Sequence, residues 1–215
     1  MKALDLIQAT LAFTEHFFAT EFSGHDYYHT LRVFHTATRI ARAEQADLEL
    51  VQLAALLHDV DDRKLSPETC REQTNARSFL EGQQVAPERI EAILKIIRQV
   101  SYAGEDSVTP DTAEGKCVQD ADRLDAIGAV GIGRAFAYGG HHNRPMHDPA
   151  VPPKTHMTKE EYYNSNSTTI NHFYEKLLRL KDKLSTPPAK AIAQERHAYM
   201  EGFLAQFLAE WEGNK

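Results

Sequence analysis

Long apolar runs are missing from this chain of 215 residues. No stretch approaches the ~20 consecutive apolar residues that a membrane-spanning helix needs, so no membrane partner is expected. Cysteine is almost missing. Cys70 and Cys117 are the only two, without metal-type spacing. Two buried, reduced thiols of a cytosolic chain are expected, with a disulfide as the other option. Basic tracts are missing as well. The chain carries 24 Lys and Arg against 31 Asp and Glu, a net charge of −7. A nucleic-acid backbone needs clustered cations, so no such partner is expected. The short basic piece from Lys176 to Lys183 alternates with Leu and reads as a solvated helix face. The opening MKALDLIQATLAFTEHFF has one Lys or Arg ahead of an apolar stretch that Asp5, Gln8 and Glu15 interrupt. It does not read as a signal peptide, and a cytoplasmic protein is expected. Windows of alternating polarity are missing, which argues against a sheet. Histidine is not scarce, at 11 residues, but none lies from Val60 to Gly140.

What is present is helical spacing. Leu4, Ile7, Leu11 and Phe18 share a face, and Ser23-Gly24-His25-Asp26 breaks the first helix. A second runs through Leu31, Phe34, Thr38 and Arg42. Asp47 suits the N-cap of a third, through Leu50, Leu53, Ala54 and Leu57. Ser66-Pro67-Glu68 predicts the start of a fourth, with Pro in the first turn. Ala86-Pro87-Glu88 opens a fifth through Ile90, Ile93, Ile97 and Val100, and Thr109-Pro110-Asp111 precedes a sixth. Gly128, Gly131 and Gly133 punctuate the segment after it, and residues 139–153 read as an irregular loop rich in His, Gly and Pro. Two long helices, through Ile170 to Leu180 and Pro188 to Trp211, close the chain. The expectation is an all-α bundle of roughly nine to eleven helices with no significant sheet. It forms a single domain over residues 1–215.

Three blocks far apart can supply one metal site. They are His29 in HDYYHTLRV, His58 and Asp59 in LLHDVDDRK, and Asp122 in DADRLDAIG. Two imidazoles and two carboxylates suit a divalent ion of the Mn, Ni, Co, Fe or Mg kind, with positions left for water and substrate oxygens. A lone buried His is ordinarily a hydrogen-bonded core residue. A His-Asp pair closing the run Leu53-Ala54-Ala55-Leu56-Leu57 is harder to place that way. An unpaired carboxylate buried there costs several kcal/mol, so Asp59 wants a cation or a dense hydrogen-bond shell.

The same blocks resemble those of the HD-domain phosphohydrolases, named for a His-Asp doublet. Small bacterial members combine HDxxHxxRV, LxHDxxDxK and QDADRLDAIGAxGIxR. This chain reads HDYYHTLRV from His25 to Val33, LLHDVDDRK from Leu56 to Lys64, and QDADRLDAIGAVGIGR from Gln119 to Arg134. The likeness runs on into NHFYEKLLRL (Asn171 to Leu180) and AQERHAYMEGFLAQFLAEW at the end. It implies the HD-type helical bundle and a metal held by one His, the doublet and a distant Asp. It implies hydrolysis of a small phosphorylated metabolite. A nucleoside triphosphate cleaved to monophosphate and pyrophosphate is the leading expectation. The alternative is a non-catalytic regulatory protein that keeps the fold and senses a nucleotide. Superfamily members with more metals recruit histidines between the doublet and the final Asp, where this chain has none. One ion per site is therefore expected, which counts against a cyclic-dinucleotide phosphodiesterase or a di-iron oxygenase. Both a monomer and a homodimer stay open.

The resemblance also suggests roles, each beside a plainer reading. Asp62, four residues after the doublet His, would be the general base or would orient water; otherwise Asp61-Asp62-Arg63-Lys64 is a solvated turn. With the first reading, Lys64 would face the substrate phosphates. His25 would donate a proton or bind a phosphoryl oxygen, or else carry a solvated ring at a helix start. Asp59 and Asp62 stand three apart, as do Asp122 and Asp125, and each pair is expected on one helical face. Asp125 would then steady a ligand His or an Arg from behind. Arg123 binds substrate or is an exposed helix residue. Lys176, four residues after His172, meets a phosphate or makes a surface pair. The run from Gly139 to Arg144 covers the substrate as a lid, or is a disordered loop with adventitious metal affinity.

Overall fold

Nine α-helices, one 3-10 helix and no strand are found among the described residues. The structure, a computed structural model, describes residues 3–21, 26–63, 65–100, 108–154 and 167–215. The expected all-α class is the observed one. The chain divides into two compact units. One is Met1–Ala103 with Ser107–Asp122, and the other is Gly104–Asp106 with Arg123–Lys215.

The first unit is built from α1 (Ala3–Phe17), α2 (Tyr27–Glu44), α3 (Leu48–Leu57), α4 (Thr74–Gly82), α5 (Pro87–Val100) and most of α6 (Ala113–Asp125). At its centre α3 packs against α1, α2 and α5. Val51 and every residue from Leu53 to Leu57 are fully buried. A helix that is apolar nearly all round belongs inside a core, and each buried Leu stabilises by about 1.5–3 kcal/mol. The carboxylate of Asp47 accepts from the Leu50 amide at 3.0 Å, the cap that the sequence predicts. Along α1 the buried face includes Thr10 and Thr14. Their hydroxyls donate back to Leu6 O at 2.8 Å and Thr10 O at 3.0 Å, so they enter the core satisfied.

The predicted fourth helix start is wrong by several residues. From Ser66 the chain folds as successive turns, and α4 begins only at Thr74. Gln73 before it has a left-handed backbone, φ 54°, which no right-handed helix can pass through. The opening amides of α4, on Asn75 and Ala76, then donate to the distant Asp61 carboxylate at 3.1 and 2.9 Å.

The second unit contains α7 (Gly128–His141), α8 (Thr169–Glu175), the 3-10 helix Leu177–Lys183 and α9 (Pro187–Trp211). α9 packs on α7 and on the 3-10 helix, and α7 packs on α8. Phe136, Phe173, Phe203 and Phe207 form an aromatic group with ring centroids 5.8–6.3 Å apart. Three expectations change here. Gly131 and Gly133 lie inside α7, and Gly128 opens it with φ 78°, where a Cβ would come within 2.8 Å of the Arg196 side chain. The helix continues to His141, so the irregular stretch starts at His142 instead of Gly139. That stretch is tied down, because Pro145 O and Met146 O accept from the Thr169 and Ile170 amides at 2.9 Å each. Val151 O accepts from Asn171 Nδ2 at 2.7 Å. The segment from Ile170 to Leu180 is not one helix, because Lys176 leaves helical geometry (φ −137°) between α8 and the 3-10 helix. Both cysteines are free thiols. Cys117 is buried, but Cys70 is only half-buried, contrary to the expectation of two buried thiols. Among the described residues no helix is long and apolar enough to cross a membrane.

Candidate metal centre

The centre lies in the first unit, where three helices deliver one ligand-bearing turn each. At the start of α2, Asp26 accepts from the His29 amide at 2.7 Å. This cap fixes His29 in the first turn, and its ring is fully buried. At the end of buried α3, His58 is the C-cap residue and Asp59 comes directly after it; they are 5 % and 6 % exposed. The depth of α3 thus carries the doublet into the interior. In α6, Asp122 is the most open of the four, with its side chain 23 % exposed, so solvent reaches the group from that side.

The ligand atoms of His29, His58 and Asp59 all lie within 4.8 Å of one another. The two Nε2 atoms are 3.3 Å apart. Asp59 Oδ2 is 3.3 Å from each of them. Adjacent ligands stand about 3.0 Å apart around a six-coordinate ion with ~2.1 Å bonds, and about 3.4 Å apart around a tetrahedral one. The triangle has the edge length of a coordination face. Asp122 is not part of that tight trio. Its Oδ1 lies 3.5 Å from His29 Nε2 and 3.9 Å from His58 Nε2. It stands at a looser fourth corner.

Donor chemistry fits a cation as well. The Nδ1–H of His58 donates to Ala55 O at 2.8 Å, which leaves Nε2 as the lone-pair nitrogen facing the others. Burial by itself would depress His58. The Asp59 carboxylate beside it, with help from Asp122, overrides that and lifts it to about 9. Without a metal, a proton on His58 balances the carboxylates that a divalent ion would otherwise balance.

The other candidate residues are more scattered. His25 and Lys64 lie outside the described residues. Asp62 is half-buried, but not one turn along a helix from Asp59, because α3 has ended. Its amide instead donates to Asp59 O at 3.1 Å in a tight turn. Nor is the Asp61–Asp62 pair a merely solvated turn, since Asp61 is 6 % exposed and caps α4. Asp125 and Arg123 belong to the second unit. Asp125 is buried and accepts from Arg134 Nη1 at 2.7 Å. Arg123 is 5 % exposed and donates to Lys183 O, so it is not an exposed helix residue. Lys176 is half-buried at the C-cap of α8. Sequence reasoning missed Asp61 and Asn75. A second Asp after the doublet was the only signal for either.

Comparison with known proteins bears on this geometry. The model of the HD domain family matches residues 26–127, a span that includes His29, His58, Asp59 and Asp122. The chain is 37 % identical to the Bacillus subtilis protein YpgQ over 99 % of its own length and 97 % of YpgQ. A crystal structure of YpgQ in complex with ADP matches with a TM-score of 0.72, covering 97 % of each chain at 34 % identity. A Lactobacillus plantarum protein matches with a TM-score of 0.86 at 40 % identity, over 97 % of this chain and 98 % of that one. An HD-superfamily hydrolase from Bacillus thuringiensis matches with a TM-score of 0.75 at 39 % identity, over 98 % and 99 %.

Proposed function

This chain belongs to the HD-domain family, and on that premise we propose that it is a metal-dependent phosphohydrolase acting on a small nucleotide. The observation that carries the reading is the buried triangle of His29, His58 and Asp59 with Asp122 at its open side. The ADP held by YpgQ supports a nucleotide as the ligand class. The nearly end-to-end match to relatives supports treating residues 1–215 as one HD-type domain.

On this reading His29, His58, Asp59 and Asp122 hold one divalent ion of the Mn, Ni, Co, Fe or Mg kind. When bound, such an ion neutralises phosphoryl oxygens and acidifies water. The chain's own groups do the rest. His58 keeps its Nδ1 proton on Ala55 O, so its ring stays aimed. The Asp62 carboxylate orients the attacking water and takes its proton as the new P–O bond forms. Lys64 steadies the charge on the phosphates. His25 donates to the departing oxygen as the scissile P–O bond breaks. With a nucleoside triphosphate as substrate, the bond broken is the one from the α-phosphorus to its bridging oxygen, and the products are a nucleoside monophosphate and pyrophosphate.

The test is a panel of nucleotides offered to metal-stripped protein with each ion added back in turn. Release of pyrophosphate that depends on the ion is expected. Nucleotide binding by calorimetry with no hydrolysis under any ion would replace this reading with that of a nucleotide sensor.

A further inference from the structure

We propose that Asp61 and Asn75 are positioning residues that hold the turn His58–Asp62 in register for the metal centre, an inference that rests on the function proposed above. The α-helical ladder of α3 stops at Leu57. Beyond it the backbone is held by looser three-residue turns, Val60 N to Leu57 O at 3.3 Å and Asp62 N to Asp59 O at 3.1 Å. Such bonds fix the direction of Asp59 and Asp62 weakly. The stiffness comes from α4. The two oxygens of Asp61 accept from the Asn75 and Ala76 amides at 3.1 and 2.9 Å. Asn75 Nδ2 reaches back and donates to Val60 O at 3.0 Å and to Thr69 Oγ1 at 3.1 Å.

The residue next to Asp59 is thereby gripped at its carbonyl, and the one beyond it is locked by its side chain. Asp61 is almost fully buried, and its charge faces the positive end of α4, where a carboxylate is favoured. A cap supplied by a residue inside the turn, answered by an amide returning to the same turn, joins two elements rather than ending one. Asp61 and Asn75 act on the ligands through the backbone and not on the ion itself.

The test uses the full chain with Asn75→Ala, Asn75→Ser and Asp61→Asn. Asn75→Ala and Asn75→Ser both lose the bond to Val60 O but leave the Asp61 cap of α4 in place. Ser keeps a small polar side chain at this half-buried position, so the pair of variants separates loss of the amide from loss of polarity. Co2+ is titrated into metal-stripped protein and monitored by its visible absorption bands, alongside melting of the metal-free forms. The expected result is a 10- to 100-fold weaker Co2+ affinity, of about the size seen when groups supporting a metal ligand are removed. The bands should shift, and kcat should fall further than KM, while metal-free melting of the two Asn75 variants stays close to the parent. Asp61→Asn should lower both affinity and melting temperature. Variants that melt lower yet bind Co2+ with the parent's affinity and spectrum would reduce both residues to a helix cap and overturn the proposal. Failure of the parent chain to take up Co2+ would overturn the metal reading instead, and the positioning proposal with it.

Discussion

Two imidazole nitrogens 3.3 Å apart, each 3.3 Å from one carboxylate oxygen, need a proton or a cation among them. In the metal-free protein the neighbouring carboxylates favour a protonated His58. Burial opposes its charge, but Asp59 and Asp122 lift it from the ordinary 6.5 to about 9. A folded value above the unfolded one stabilises the protein while His58 stays protonated. That contribution, on the order of 3 kcal/mol, is complete below the unfolded value and is lost as pH rises through the folded one. The melting temperature of metal-free protein is therefore expected to fall between about pH 7 and about pH 9.5. Metal-loaded protein, from which the proton has been expelled, should not show the same fall. Parallel circular-dichroism melts decide the matter, and equal slopes would remove His58 from the coupling. A second pair of variants separates binding from chemistry. Asp59→Ala should lose metal and turnover together, whereas Asp62→Asn should keep the metal and lose turnover by roughly 10²-fold. Metal analysis beside initial rates reads both, and near-normal turnover by Asp62→Asn would make it an ordinary carboxylate. His58 and Asp59 were legible as candidates because a His-Asp pair is chemically unusual at the end of a buried run, whereas His29 and Asp122 were legible through their blocks and the resemblance those blocks carry. Asp61 and Asn75 were not, because their meaning depends on which distant helix start folds against the turn.

At the scale of elements, α3 carries both the core and the doublet. Leu56 is fully buried within it. Leu56→Ala should cost about 2–5 kcal/mol, from lost transfer energy and the cavity left behind. Asp47→Ala, which removes the cap of the same helix, should cost ~1 kcal/mol. Urea midpoints measure both, and a Leu56→Ala loss no larger than that of Asp47→Ala would mean that the site collapses around the smaller side chain. The Asp47 cap was readable in the sequence because an N-cap needs only three neighbouring residues. So was the start of α5 at Pro87, for the same local reason. The start of α4 was not. Ser66-Pro67-Glu68 is a sound local signal, but the left-handed backbone at Gln73 and the Asp61 carboxylate set the boundary from outside it. The 3-10 helix after Lys176 was equally hidden, since Leu177, Leu180 and Leu184 sit at a spacing that also suits an α-helix.

For the whole molecule, a net charge of −7 means that any affinity for a polyanion must be local. A divalent ion is the largest single source of such charge, and its binding is also folding energy. At 100 times its Kd an ion that binds only the folded state adds about 2.7 kcal/mol. For a chain of this length each kcal/mol raises the midpoint by about 2–4 °C, so a rise of about 5–10 °C is expected. All four ligand candidates fall in the first unit, yet α6 runs on past Asp122 to Asp125. There Arg196 donates to Leu124 O and Arg134 donates to Asp125, so the end of α6 is fastened within the second unit. Trp211, the only tryptophan, closes α9 in that unit. Its fluorescence reports the second unit, while far-UV circular dichroism reports all helices. Because one helix belongs to both units, the two signals should move upward together when the ion is added. A shift in circular dichroism with an unmoved Trp211 midpoint would mean that the units melt separately, and that α6 breaks near Asp122 before the ligand turn lets go.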